Sequence, residues 1–261
     1  MNTYKTSDIA KMFGIHVNTV RLYETCGLIP KPVRQSNGYR VFTDIHVEQF
    51  KLARAALKVE VLQNGLRKQA VNIIKISAAG EYEKAADQVK RYAAQIEEEM
   101  EHAEEALKIT RRILSGEDNH RKKQPREFTR KEAADLLHVT IDTLRNWELN
   151  GLFTAKRQKN GYRIYTEDDM QRLKIIRSLR CANYSLASIL RMLKAVSADP
   201  DTNIREIINT PGEDDDIVTA CDKLLTSLAD AKENAQFAAG QIEKMKQLAK
   251  KPTFNHHTSQ P

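Results

Sequence analysis

The segment RNWELNGL fills residues 145–152, and RLYETCGL fills residues 21–28. The two phrases share arginine, glutamate, glycine and leucine at an offset of 124 positions (145 − 21 = 124). An internal period is sought before any local element is assigned, because overlooking one misreads the whole fold. At this offset Ala10, Thr19, Arg21, Glu24, Gly27 and Leu28 fall on Ala134, Thr143, Arg145, Glu148, Gly151 and Leu152. One deletion later the offset is 123. It carries Arg34, Gln35, Asn37, Gly38, Tyr39, Arg40 and Thr43 onto Arg157, Gln158, Asn160, Gly161, Tyr162, Arg163 and Thr166. Matches in one order over such a length mark a duplicated module.

Turn chemistry predicts a helix, a sharp turn, a second helix, a hairpin and more helix within each copy. Ala10, Gly14, Ile15 and Val20 have the spacing of a helix-turn-helix, in which a small residue lets the helices approach and glycine makes the turn. The second copy keeps Ala134, Val139 and Leu144 but puts His138 at the glycine position, a strain histidine tolerates better than most residues. Thr129 and Glu132 form a capping-box pattern before the first helix of that copy. The stretches GLIPKPVRQSNGYRVFT and GLFTAKRQKNGYRIYT then place Asn-Gly between β-leaning runs. That pair is a strong hairpin signal and predicts positive φ at both central residues.

Two long apolar repeats follow the copies. Tyr82, Ala86, Val89, Ala93, Ile96, Met100, Ala103, Leu107, Thr110 and Leu114 alternate steps of four and three, as do Ile217, Cys221, Leu224, Leu228, Ala231, Ala235, Ala238, Ile242, Met245 and Ala249. This is coiled-coil spacing. A narrow, alanine-rich stripe is marginal alone and needs a partner surface. The expected fold is mainly α, with two winged helix-turn-helix heads, each bearing a small β-hairpin wing, joined by an antiparallel coiled coil. The acidic run EEEMEHAEE, residues 97–105, reads as a solvated coil face. The expected boundaries are 1–75 for the first head, 81–115 for the first coil helix and 116–126 for a linker. The second head follows at 127–196, an asymmetric insert at 197–214, the second coil helix at 215–251 and a disordered tail at 252–261.

A net charge of +7 over 261 residues points to an acidic polymer or an anionic membrane surface. No apolar run reaches the ~18 residues that cross a bilayer, and the amino terminus lacks a secretory pattern, so a cytoplasmic protein is expected. Cys26, Cys181 and Cys221 offer neither a disulfide framework nor a zinc-finger spacing. No phosphate loop, nucleophile elbow or metal cluster marks an enzyme, and neither cofactor nor metal is expected.

The chemistry-bearing positions lie on the second helix and the wing of each copy. The amino-terminal turn of a recognition helix reaches base edges, and it carries His16, Val17 and Asn18 in one copy and Thr140, Ile141 and Asp142 in the other. Asn18 suits adenine. Asp142 suits cytosine, and equally a helix amino terminus with no DNA present. Arg21, Arg145, Arg40 and Arg163 suit phosphate, with an ion pair to Glu24 or Glu148 as the other use. Arg34, Tyr39, Arg157 and Tyr162 decorate the wings. Tyr23 and Trp147 fit either the core of a head or a phosphate contact.

These features together resemble the MerR family of bacterial transcription regulators. The resemblance rests on a helix-turn-helix ending in R-x-[YW]-E-x-x-G-L, a wing with N-G-Y-R, the LRCANYSLASIL segment of copy two, and a long helix. Copy one departs from that last segment at ALKVEVLQNGL. The resemblance implies double-stranded DNA as partner, bound and distorted at a promoter so that RNA polymerase engages it, under control of a bound signal. Ordinary members are homodimers with one head per chain. Two heads here imply a monomeric pseudodimer whose coil helices pair within the chain. The effector is unknown, with residues 196–216 as the candidate contact, and Cys221 with His120 makes a poor soft-metal site. The competing reading is a DNA-anchoring or architectural protein.

Overall fold

The computed structural model describes residues 2–58, 65–115, 126–159, 161–211 and 220–250. It divides into two compact units, Met1–Glu97 with Ala229–Pro261, and Glu98–Leu228.

Unit one begins with strand β1 (Thr3–Tyr4), helix α1 (Thr6–Phe13) and helix α2 (Val17–Thr25). Gly14 closes α1 at φ 59, and the amide of Ile15 donates to the Ala10 carbonyl at 3.0 Å, which turns the chain into α2. A left-handed residue at this point satisfies carbonyls that a helix end leaves open. Strands β2 (Val33–Arg34) and β3 (Arg40–Thr43) form the wing, and β1 pairs with the far edge of β3, giving the order β1-β3-β2. The third strand was not expected from the sequence. Helices α3 (Asp44–Lys58) and α4 (Leu66–Ala78) follow. Ile9, Ala10, Val20, Ile29, Phe42, Val47 and Phe50 form the core, and the Phe50 ring stacks between Phe13 at 5.2 Å and Tyr23 at 5.1 Å.

Unit two repeats this plan with β4 (Phe128–Thr129), α6 (Arg130–Leu137), α7 (Ile141–Leu149), β5 (Lys156–Arg157), β6 (Arg163–Tyr165), α8 (Glu167–Cys181) and α9 (Leu186–Ala198). Registers coincide: Arg34 faces Arg40 in one wing and Arg157 faces Arg163 in the other. The capping box of Thr129 and Glu132 is present, and His138 takes the left-handed conformation at φ 50. The α3 and α8 helices have 15 residues each, and α4 and α9 have 13 each. The duplication therefore runs past the point where sequence identity fades.

The hairpin turn differs from the sequence expectation. Gly38 has φ 82, whereas Asn37 is not among the residues with positive φ. The Gly38 amide donates to the Gln35 carbonyl at 2.8 Å, and the Gln35 amide donates to the Tyr39 carbonyl at 2.9 Å. The loop is thus longer than a two-residue turn, with one left-handed glycine closing it. Asn37 uses its side chain instead, Oδ1 accepting from the Tyr39 amide at 3.1 Å.

Helix α5 spans Tyr82–Leu114, the whole of the first apolar repeat. Val89, Ile96, Ala103, Leu107 and Thr110 of the expected stripe are buried, Ala85, Tyr92 and Ala106 are buried beside them, and Leu114 is 40% exposed. Helix α11 spans Leu224–Lys250 and is shorter than the second repeat, because Ala220–Lys223 forms a 3₁₀ turn that packs on α9 and on α10 (Ile204–Asn209). From Leu224 to Met245 each expected seam residue of α11 is buried.

Within unit one, Lys246 Nζ lies 2.7 Å from Glu83 and Lys232 Nζ lies 3.0 Å from Glu97. The two pairs are 14 residues apart on each helix (97 − 83 and 246 − 232), in opposite directions, so these helix segments run antiparallel. The acidic run is not wholly solvated: Glu97 holds Lys232, Glu99 accepts from Asn183 Nδ2 at 2.9 Å, and Glu104 holds Arg205 at 2.8 Å. No helix among the described residues is long and apolar enough to cross a membrane. The expected tail and nearly all of the expected linker lie outside the described residues, as do the Cys221 side chain and His120.

Candidate nucleic-acid interface

The repeated phrase resolves into separate physical tasks. Helix α2 turns Val17, Val20 and Tyr23 inward and Asn18, Arg21, Leu22 and Thr25 outward. The glycine and leucine stop the helix: Gly27 has φ 67, its amide donates to the Glu24 carbonyl, and the Leu28 amide donates to the Tyr23 carbonyl. Gly151 and Leu152 make the same bonds to Glu148 and Trp147. This pair of bonds is the glycine-based helix stop that requires a left-handed residue after the last turn. The carbonyl of the leucine is then bound from the helix behind it. Gln49 Nε2 donates to Leu28 O at 3.0 Å in unit one, and Arg172 Nε donates to Leu152 O at 2.7 Å in unit two.

The glutamate fixes the wing. Glu24 Oε2 accepts from Arg40 Nε at 2.5 Å, and its Oε1 lies 3.5 Å from Arg34 Nη2. Glu148 holds Arg163 Nε at 3.0 and 2.7 Å through its two oxygens. This hydrogen bond raises the Arg163 pKa above the ordinary arginine value. The four side chains are partly buried, where a charge-assisted pair is stronger than at an open surface. Arg40 and Arg163 thus tie the second wing strand to the recognition helix, the ion-pair use of these residues.

The remaining candidates fall into two groups. His16 and Thr140 cap the recognition helices, His16 Nδ1 accepting from the Asn18 amide at 3.2 Å and Thr140 Oγ1 from the Thr143 amide at 3.0 Å. Val17 packs on the core, Tyr23 stacks on Phe50, and Trp147 is 4% exposed, so these rings serve the interior of their heads. Facing outward are Asn18, Arg21, Ile141, Asp142 and Arg145 on the helices. Arg34, Arg157, Tyr39 and Tyr162 face outward on the wings, the two tyrosines at 71% and 73% exposure. Arg21 Nη1 donates to Asn18 Oδ1 at 3.3 Å. Each head therefore presents an arginine-bearing helix face beside an arginine- and tyrosine-bearing wing. Gln49 and Arg172 are aligned by the offset of 123 (172 − 49 = 123) but share no residue type, and their common task shows only in the leucine carbonyl that both bind.

Comparison with known proteins adds an independent observation. The family model described as MerR family regulatory protein matches residues 5–42, and that described as MerR HTH family regulatory protein matches residues 128–196. The chain carries two MerR-family helix-turn-helix modules. The MerR-type relatives include the HTH-type transcriptional regulator ZntR of Escherichia coli K12, 42% identical over 71 residues, which are 27% of this chain and 50% of that protein. The HTH-type transcriptional regulator CueR of Escherichia coli O6:H1 is 42% identical over 53 residues, 20% of this chain and 39% of that protein. A probable heavy metal-dependent transcriptional regulator of Haemophilus influenzae is 38% identical over 77 residues, 29% of this chain and 59% of that protein. The chain thus spans about half the length of the curated relatives it matches. No solved structure gives a significant match. Among the described residues no group of three or more histidine, cysteine, aspartate or glutamate side chains could hold a metal ion.

Proposed function

We propose that this chain is a sequence-specific, double-stranded-DNA-binding transcriptional regulator acting as a single-chain pseudodimer. Both heads engage one quasi-palindromic promoter operator, and distortion of that DNA controls its use by RNA polymerase. The observation that carries the reading is the repetition, in two MerR-type modules, of one outward helix face beside one wing fixed by a Glu–Arg pair. A net charge of +7 suits a polyanionic partner. The antiparallel ion pairs between α5 and α11 in unit one support pairing of these helices within the chain, and hence a monomer. By the same reading the protein works in the cytoplasm, performs no catalysis and keeps the domain order of its sequence repeats.

The test is selection of bound fragments from a genomic library, a base-resolution footprint, and a promoter reporter. The reading predicts a discrete site overlapping a promoter and a transcriptional change on deletion. Many scattered sites with no transcriptional effect would support an architectural protein instead.

A further inference from the structure

From the recognition helices we infer that Leu22 and Asn146 are specificity-determining residues that make the two heads read different base pairs. The inference rests on the DNA-binding reading above.

The positions are equivalent, since the offset of 124 places Leu22 on Asn146 (146 − 22 = 124). Both lie on the outward face, one turn beyond Asn18 and Asp142 and next to Arg21 and Arg145. Leu22 is 57% exposed. A single exposed leucine is ordinary on a protein surface. This one stands among Asn18, Arg21 and Thr25, on a face whose inward neighbours Val20 and Tyr23 already complete the packing. The second head folds with asparagine at the same point, so the position is free of any demand from the core.

The chemistry of the two side chains is complementary to different base edges. In the major groove the thymine C5-methyl is the apolar feature, and a leucine side chain covers it without asking for a hydrogen bond. Adenine offers N7 as acceptor and N6 as donor, and a carboxamide meets both. The Asn146 carboxamide is held on the exposed helix face: its Oδ1 accepts from Asn150 Nδ2 at 2.8 Å, and Asn150 Nδ2 also donates to the Asn146 carbonyl at 2.8 Å. An amide oxygen has a second lone pair for the adenine N6 amino group, while the Asn146 Nδ2 group supplies donors for N7. Head one thus takes a thymine methyl and head two an adenine at the corresponding place, giving an operator whose halves differ at one defined base pair.

Sequencing of DNA selected by the full chain tests this with Leu22→Asn and Asn146→Leu, both at outward positions. Each variant is expected to change the preferred base at one position of one half-site, by about fivefold or more, leaving the other half unchanged. Unaltered preferences in both variants overturn the inference while leaving DNA binding standing. Failure of the unsubstituted chain to select any DNA overturns the functional reading itself.

Discussion

Glu24 and Arg40 meet at 2.5 Å across the gap between the recognition helix and the wing, and Glu148 and Arg163 meet in the same way in the second head. The wing is a short hairpin, and this pair, the buried Phe42 ring of β3 and the β1 edge strand hold its angle to the helix. Glu24→Gln separates two roles for Arg40. If Arg40 positions the wing, losing its carboxylate weakens DNA binding. If Arg40 grips phosphate and Glu24 merely competes for it, binding tightens. Affinity measured against salt concentration decides, and a weakened variant with a nearly unchanged salt slope is expected.

Gln49 is fully buried and makes three hydrogen bonds: to Leu28 O, to Ile74 O at 2.9 Å, and from Ser77 Oγ at 2.8 Å. It joins the end of the recognition helix to α4. Gln49→Leu leaves several buried polar groups without partners, and each costs about 1–3 kcal/mol. Chemical denaturation should show a loss of about 3 kcal/mol or more in the stability of unit one.

His46 accepts from the Thr43 amide through Nδ1 at 3.0 Å, at the position that Asp169 fills for Thr166 in the second copy. The ring must be neutral to accept. Burial lowers its pKa from 6.5 to about 4. The unfolded chain therefore takes up this proton first as pH falls. The His46 contribution is full above pH 6.5, declines between 6.5 and 4, and amounts to about 3 kcal/mol. Unfolding midpoints measured across this window should fall for the native chain and fall less for His46→Gln.

Asn209, in the asymmetric insert, caps α11 from outside the helix, its Oδ1 accepting from the Leu225 amide at 2.9 Å and the Thr226 amide at 3.3 Å. Arg191 secures the same corner by donating to the carbonyls of Ile207, Ile208 and Asp222. The insert that is the candidate effector contact thus also starts a long helix. Asn209→Ala should cost about 1 kcal/mol. Faster hydrogen exchange at Leu225 and Thr226 is the accompanying sign.

What the sequence disclosed depended on whether each feature rested on local chemistry. The His138 turn, the Thr129 capping box and the full extent of α5 follow from residues close together in the chain. The β1 and β4 strands are two residues long and gain their identity only by pairing with β3 and β6, so no local period marks them. The start of α11 at Leu224 has a related cause. Cys221 and Leu224 continue the apolar spacing, but Asp222 accepts from Ser185 Oγ and its carbonyl accepts from Arg191, and these distant partners hold a 3₁₀ turn there. In the candidate site, the repeated Glu and Arg leave phosphate contact and ion pairing both open in the sequence, and the folded wing, which brings residues 16 and 15 positions apart together, shows the Glu24–Arg40 and Glu148–Arg163 pairs.

The most direct test is the stoichiometry of the chain on its own selected operator, by native mass spectrometry beside a base-resolution footprint. One chain protecting two unequal half-sites is the predicted result. Two chains per operator, or one chain covering a single half-site, would contradict the single-chain pseudodimer.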